Sequence, residues 1–327
     1  MKKFFILILL TGLCIPQAKT SKIAGMAGSF SRLGFGARGM GMGNTVSSVV
    51  DGNLVAYYNP ALSVFQKRNS VQAAYSVLSL DRSLNFLNFT RHFEFAKTDT
   101  NRKFTPTAGL SIGIINSGVS KIDGRDNQGI KTGDLTTSEN QFFLSFANKF
   151  SRKLVVGLSA KFYYYKLYEE ITASGLGFDI GAIYIVNDNL HFSFMLSDLN
   201  SKYKWDTSPV YDTDGNTTEN KFPLLKKIGA SYKFNNPNLL IAVEFENSNA
   251  GTNYIRAGAE YNIYDQLFLR AGLDKWNLSN SEFPARPSFG FSYSKEVSDY
   301  TLGVDYAFVI EPYSDSNQHI IGVNFNF

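Results

Sequence analysis

The sequence predicts an all-β protein, a transmembrane antiparallel β-barrel of about 14 strands with an amino-terminal plug segment inside it. Three observations point there. The chain closes on an alternating, aromatic-ended strand. Many earlier segments alternate apolar and polar residues over lengths that can cross a bilayer. The connections between those segments alternate between short and long.

The closing strand runs from Gln318 to Phe327. His319, Ile321, Val323, Phe325 and Phe327 fall on one side, and Gln318, Ile320, Gly322, Asn324 and Asn326 on the other. Successive side chains of a strand point to opposite faces, so one face is greasy and the other small or polar. In an open soluble sheet this strand would leave an apolar edge, which invites aggregation. In a closed barrel it is a seam, paired on both sides.

Composition agrees. The 327 residues include 18 Tyr and 28 Phe, with modest charge. A helical membrane protein needs unbroken apolar runs of about 20 residues, and none follows the leader. That leader has Lys2 and Lys3, an apolar run from Phe4 to Ile15, and Pro16-Gln17-Ala18 before Lys19. It reads as a secretory signal cleaved after Ala18, giving a signal peptide over 1–18. Its removal takes the formal charge from +4 to about +2, too slight to argue for nucleic acid. The only cysteine, Cys14, lies in the leader behind Leu13 and does not fit a lipidation site. The mature chain then has no disulfide framework and no thiol chemistry.

Residues 19–69 read as the plug-like segment. Glycine crowds Gly25 to Gly43, and such density means tight backbone packing or positive φ rather than a regular element. Asp51 is placed to cap a short helix over Asn53 to Tyr58, ended by Pro60. The Gly39-x-Gly41-x-Gly43 run lacks the strand–turn–helix setting of a phosphate loop. Met26, Phe30, Leu33, Phe35, Met40 and Met42 are available to line an apolar pocket behind the glycines, or simply to pack the plug.

Residues 70–327 read as the barrel. Its strands are expected at Ser70–Leu80, Ser83–Phe95, Thr105–Ile115, Glu139–Phe150, Leu154–Tyr168, Thr172–Val186, Leu190–Leu199, Leu224–Phe234, Asn238–Glu246, Asn253–Ile263, Gln266–Trp276, Pro287–Lys295, Ser298–Val309 and Gln318–Phe327. A tilted strand needs about 9–11 residues to cross. The even-numbered connections are mostly tiny, whereas Asn116–Ser138, Asn200–Pro223, Asn277–Arg286 and Ile310–Asn317 are longer. Short periplasmic turns and long outer loops are the barrel pattern. The first outer connection, near Asp81-Arg82, is short against this pattern, and the first inner one, Ala96–Phe104, is long.

With the apolar faces toward lipid, Glu244, Glu246, Arg256, Glu260, Arg270, Asp274 and Asp305 point inward. A turn through Tyr264-Asp265-Gln266 sets Glu260 opposite Arg270 and Arg256 opposite Asp274, and an outer turn at Ala250 sets Glu244 opposite Arg256. Facing opposite charges support strand pairing by about 0.2–1 kcal/mol each. A register-fixing ladder is therefore the simpler reading, and a polar wall holding the plug or lining a route past it is the functional one.

Other features carry less. Asp212-Thr213-Asp214-Gly215-Asn216 offers oxygen ligands of the kind calcium takes but lacks the bidentate Glu, so it reads as a polar turn. His92, His191 and His319 suggest no metal, and no cofactor or catalytic cluster is called for. Tyr163, Tyr164, Tyr165, Tyr168, Trp205 and Trp276 are expected in an aromatic girdle.

The stretch Leu33-Gly34-Phe35-Gly36-Ala37-Arg38-Gly39-Met40-Gly41-Met42-Gly43-Asn44, with Tyr57-Tyr58-Asn59-Pro60-Ala61-Leu62 further on, resembles the amino-terminal signature of the PorV/PorQ group of FadL-like outer-membrane barrels. The chain departs from it in having Val50-Asp51-Gly52 where relatives tend to carry an Ala-Asp-Asp run. The resemblance implies a bacterial outer-membrane location, a segment folded inside the barrel, and an Asn-Pro-Ala element leading into the first strand. Asn59 itself reads as a turn residue capping local backbone.

The PorV/PorQ resemblance further implies a non-enzymatic accessory of type IX secretion that engages exported proteins and secretion machinery, with Tyr203, Trp205 and Tyr211 of the loop Asn200–Pro223 as a contact surface. The broader FadL-like resemblance implies the alternative, passage of small hydrophobic molecules such as fatty acids, with the plug obstructing the lumen and the ligand leaving sideways through the wall. Membrane lipids are partners in either case. The inward charges and the plug signature favour the first.

Overall fold

The computed structural model describes residues 21–95, 105–168, 170–264 and 266–327. The expected signal peptide over 1–18, the connection Ala96–Phe104, Glu169 and Asp265 lie outside the described residues. The strands are β1 (Ser70–Val77), β2 (Arg82–Glu94), β3 (Thr107–Arg125), β4 (Lys131–Lys149), β5 (Leu154–Lys166), β6 (Thr172–Ile185), β7 (Leu190–Leu199), β8 (Lys202–Asp206), β9 (Thr217–Lys221), β10 (Leu225–Asn235), β11 (Asn238–Ser248), β12 (Thr252–Tyr264), β13 (Leu267–Asn277), β14 (Arg286–Val297), β15 (Tyr300–Val309) and β16 (Gln318–Asn326). Fourteen of them, all but β8 and β9, form a closed antiparallel ring. The closing strand is its seam: β16 pairs with β1, Ser70 facing Asn326, and with β15, Thr301 facing Asn326.

Alternation sets the sidedness. On β11, Ile241, Val243 and Phe245 face outward and are exposed, while Leu240, Ala242, Glu244 and Glu246 are buried. Phe142, Leu144 and Phe146 of β4 repeat the pattern, with Phe146 54% exposed. A continuous apolar exterior over charged interior residues is the arrangement a lipid environment selects.

The structure departs from the expected loops at the outer end. Most of the connection expected over Asn116–Ser138 is strand, because β3 and β4 run for 19 residues each. At about 3.4 Å per residue they reach roughly 60 Å and project beyond the bilayer. Above the lipid both faces meet water, so no apolar alternation marks these extensions in the sequence. Likewise the connection between β7 and β10 contains the β8–β9 hairpin, which pairs with the upper end of β6 through Ala173–Trp205 and Ser174–Lys204.

Residues 28–66 pack against the inner wall and are mostly buried. Inward-facing glycines let this backbone approach. A Cβ on Gly109 of β3 would overlap Ser63, on Gly157 of β5 Pro60 and Ala61, on Gly181 of β6 Asn59, on Gly258 of β12 Met42, and on Gly272 of β13 Gly43. Absence of a side chain is what permits such contact. The expected helix over Asn53–Tyr58 does not form. The turn comes later, as a 3-10 helix over Pro60–Phe65 with Pro60 at its start, where its missing N–H and fixed φ suit a helical first turn. Asn59 caps it, accepting from Ala61 N at 3.0 Å. Asp51 instead pairs with Lys233 at 3.2 Å.

Candidate functional site

The inner segment enters from the outer end. Lys22 N–H donates to Ala250 O in the outer turn between β11 and β12 (3.1 Å), and Ser21 hydrogen-bonds Thr252. It descends through a five-residue helix, α1 (Ala37–Gly41), and reaches the short-turn end before β1. The helix lies against β13 to β16: Gly290 and Ala307 face Gly41, and Gly322 faces Ala37.

Arg38 fastens α1. Its Nε and Nη2 donate to the two carboxylate oxygens of Glu260 at 2.8 Å each, and Nη1 donates to Asp51 O (2.6 Å) and Asn53 O (3.0 Å). This bidentate fork adds geometric specificity as well as energy. Around it lie the other signature residues. Gly36 and Gly43 hold φ of +74° and +62°, and a Cβ on Gly39 would overlap the Tyr58 hydroxyl. Met42 is fully buried. Asn59 Nδ2 donates to Ser47 O (3.2 Å) and to Ala182 O of β6 (3.3 Å), while Pro60 and Ala61 press on Gly157.

The inward charges meet as two networks. Glu260 faces Arg270 in register, with Arg270 Nε 2.6 Å from Glu260 Oε2 and Nη1 3.6 Å from Asp305. Glu244 faces Arg256. Arg256 is not strictly opposite Asp274: the register shifts between Ile255 and Ala257, and Lys275 takes φ +55° there. The bulge still brings Arg256 Nε within 2.6 Å of Asp274, with Glu244 and Glu246 at 3.2 and 3.1 Å from Nη1. Asp274 also binds Arg286 (3.2 Å) and accepts from Asn44 Nδ2 (3.1 Å).

A third cluster was not read from the sequence. Lys161 of β5 lies 2.7 Å from Asp179 and 3.1 Å from Asp198, and the Tyr163 hydroxyl donates to Asp198 at 2.7 Å. The inward parity of Lys161 between Ser159 and Tyr163 was the available signal. Tyr163 is therefore no girdle residue.

The aromatic loop is also turned inward. Tyr203 and Trp205 are 2% and 8% exposed. They pack with Tyr163, Tyr165 and Phe222, at centroid distances of 5.1 Å for Tyr165–Trp205 and 5.0 Å for Tyr203–Phe222. This corrects the contact-surface expectation for Tyr203 and Trp205 and the girdle expectation for Trp205: the hairpin folds down because its alternate aromatics find an apolar cluster beneath. Of the three, only Tyr211 is exposed. On the hairpin's wet face, Lys202 Nζ at 2.7 Å holds the Glu219 carboxyl below its ordinary range, and hydrogen bonds from Ser208 do the same for Asp206.

Cavities flank the inner segment at both ends of the barrel. The outer one, about 590 Å³, is walled by Leu33, Leu78, Phe283, Pro284, Pro312 and Tyr313, with Lys275, Arg286 and Gln318 among its polar groups. The other, about 390 Å³ and lined by Asp51, Lys233, Glu260, Arg270, Asp305 and Asn326, lies toward the short-turn end. Of the six apolar residues expected to line a pocket, only Leu33 lines the outer cavity. Phe30, Phe35, Met40 and Met42 are packed core.

No family model and no curated protein matches the sequence. Solved structures do match the fold. The Pseudomonas putida toluene transporter TodX superposes with a TM-score of 0.56 at 16% identity, over 89% of this chain and 96% of that one. The deltaS2 mutant of the TodX monoaromatic hydrocarbon channel gives 0.56 at 15%, over 90% and 99%. A Pseudomonas aeruginosa FadL homologue gives 0.55 at 11%, over 89% and 97%. The fold is thus a closed antiparallel β-barrel of 14 strands that matches the FadL-like barrels among these structures.

Proposed function

We propose that this chain is a non-enzymatic outer-membrane channel admitting small hydrophobic molecules. The observation that carries the proposal is the outer cavity. By area its wall is mostly apolar, with Arg82, Lys275, Arg286, Glu311 and Asp315 as charged residues of its lining, and its volume is within the roughly 300–1,000 Å³ of small-molecule sites. The FadL-like fold shared with a toluene transporter supports the same reading. The inner segment acts as a plug over the lumen. The signature residues Gly36 to Gly43 and Asn59 to Ala61 seat that plug, while Glu244, Arg256, Glu260, Arg270 and Asp274 form the wall it docks on.

The secretion-accessory role implied by the PorV/PorQ resemblance has less support, because Tyr203 and Trp205 are not presented to a partner. Uptake of labelled toluene and labelled laurate by a Gram-negative host lacking its own channel of this class separates the two. The channel reading expects saturable uptake above the vector control, reduced by Leu33→Arg or Phe283→Arg. Absence of uptake, together with co-purification of exported proteins from the native membrane, would reverse the choice.

A further inference from the structure

We infer that the outward face of the β8–β9 hairpin, with the adjoining end of β10, is a binding site for an anionic lipid of the outer leaflet whose headgroup carries two phosphate groups. The site does not depend on which solute the barrel admits.

The hairpin belongs to the wall. β8 follows β7 along the same neighbour, since Phe178 of β6 faces Leu199 of β7 and Ser174 of β6 faces Lys204 of β8. Tyr203 and Trp205 turn inward, so alternation sends Lys202, Lys204 and Asp206 to the lipid side. Residues directly opposite in an antiparallel pair share a face. Lys221 is opposite Lys202, and Glu219 is opposite Lys204. Lys226 joins them from β10. It is exposed and faces Leu196 of β7 and Asn247 of β11, the last outward residue before the outer turn at Ala250. Four lysines thus stand where the wall leaves the hydrocarbon.

The protein does not balance this face. Lys202 donates to Glu219 at 2.7 Å. Among the described residues, the ammonium groups of Lys204, Lys221 and Lys226 make no hydrogen bond or ion pair. Glu219 and Asp206 are the carboxylates of the face, so two of its four positive charges stay uncompensated. Further round the wall, Lys166 and Glu170 add one charge of each sign. Like charges set directly opposite weaken a strand pair, so the Lys202–Lys221 pairing is a cost that a bound anion would offset.

Below the lysines the wall is apolar. Leu176 and Phe178 of β6, Phe194 of β7 and Ile228 of β10 are exposed on the same side. A ligand meeting both surfaces lays acyl chains on these residues and an anionic head among the ammonium groups. Lysines clustered beside a membrane span attract anionic headgroups, and an ammonium binds phosphate as a point charge with three donors. A zwitterionic lipid supplies no net charge and one phosphodiester supplies a single one. Two phosphates supply at least the two that are missing.

The test titrates the barrel, immobilised in dodecyl maltoside, with radiolabelled bisphosphorylated lipid A. Wild type should retain this lipid and release phosphatidylethanolamine. Changing all four lysines, Lys202→Gln, Lys204→Gln, Lys221→Gln and Lys226→Gln, should weaken retention at least about tenfold, whereas the same four changed to Arg should keep it. Equal retention by the Gln variant and wild type would overturn the site, as would equal retention of phosphatidylethanolamine. Displacement of the lipid by equimolar inorganic pyrophosphate would mean that the apolar wall takes no part, and the lipid assignment would fall. If the Gln variant yields no heat-modifiable barrel, salt decides with wild type alone. Raising sodium chloride from about 50 to about 500 mM should weaken retention severalfold through screening, and unchanged retention overturns the site.

Discussion

Arg256 is surrounded by Glu244, Glu246 and Asp274, all buried; Lys227 shares Glu246 and Arg286 shares Asp274, but Arg256 is the one guanidinium in reach of all three carboxylates among the described ion pairs. Removing one partner of a buried ion pair costs about 3–5 kcal/mol, because the charge left behind is uncompensated. Arg256→Ala should therefore destabilise the micelle-refolded barrel by that order, seen as a lower urea midpoint for loss of the heat-modifiable band. Arg256→Ala with Glu246→Gln and Asp274→Asn should recover much of it. The glycines make a second residue-scale prediction. A methyl on Gly272 meets the Gly43 backbone, whereas one on Gly303 comes no closer than 3.4 Å to a side-chain atom of Ser294. Overpacking costs about 1–3 kcal/mol, so Gly272→Ala should destabilise by that amount in the same assay and Gly303→Ala should not. A Gly272→Ala as stable as wild type would mean the inner segment does not press on β13.

At the scale of the element, the β8–β9 hairpin caps one half of the outer mouth and leaves the other half to the apolar cavity. Its alternation is informative: Tyr203 and Trp205 point down into the cluster, while Lys202, Lys204 and Asp206 point away. Burying a large aromatic and then truncating it costs about 3–5 kcal/mol. Trp205→Ala should release the hairpin to limited proteolysis on intact cells, whereas Tyr211→Ala, on the exposed turn, should leave the cleavage pattern unchanged. The same element shows what was legible in the sequence and what was not. Lipid forces one face of every crossing strand to be apolar, so strands such as β11 and β16 stand out by alternation alone. The facing of Glu244 with Arg256 and of Glu260 with Arg270 followed from parity and turn length. Above the bilayer that constraint lapses, and the 19-residue β3 and β4 and the β8–β9 hairpin read as loops. Arg38 with Glu260 and Lys161 with Asp198 were illegible for another reason. Their partners depend on where the inner segment lies and where β7 bulges, and neither follows from periodicity.

For the whole molecule, the barrel is inverted relative to a soluble domain, with phenylalanines outside and ion pairs within, and its chain threads its own lumen. The first described residue, Ser21, is tied to the outer turn at Thr252, whereas β1 begins at the opposite end beside the closing strand. The strand connections fix which end is which: the short turns, among them the one between β10 and β11, mark the periplasmic side, and the projecting β3–β4 hairpin marks the outside. Ser70 of β1 and Asn326 of β16 thus lie together at the short-turn end, whereas the described segment before β1 starts at the other end. Single cysteines test this directly, since Cys14 is the sequence's one cysteine. Ser21→Cys should react with a membrane-impermeant maleimide on intact cells, as should a cysteine at Gln128 on the β3–β4 tip. Asn236→Cys, in the turn between β10 and β11, should react only after the outer membrane is permeabilised. Labelling of Asn236→Cys but not Gln128→Cys on intact cells would turn the barrel over. Labelling of Gln128→Cys without Ser21→Cys would instead mean that the segment enters the lumen from the periplasmic side, and the path of the inner segment from outer mouth to β1 would have to be abandoned.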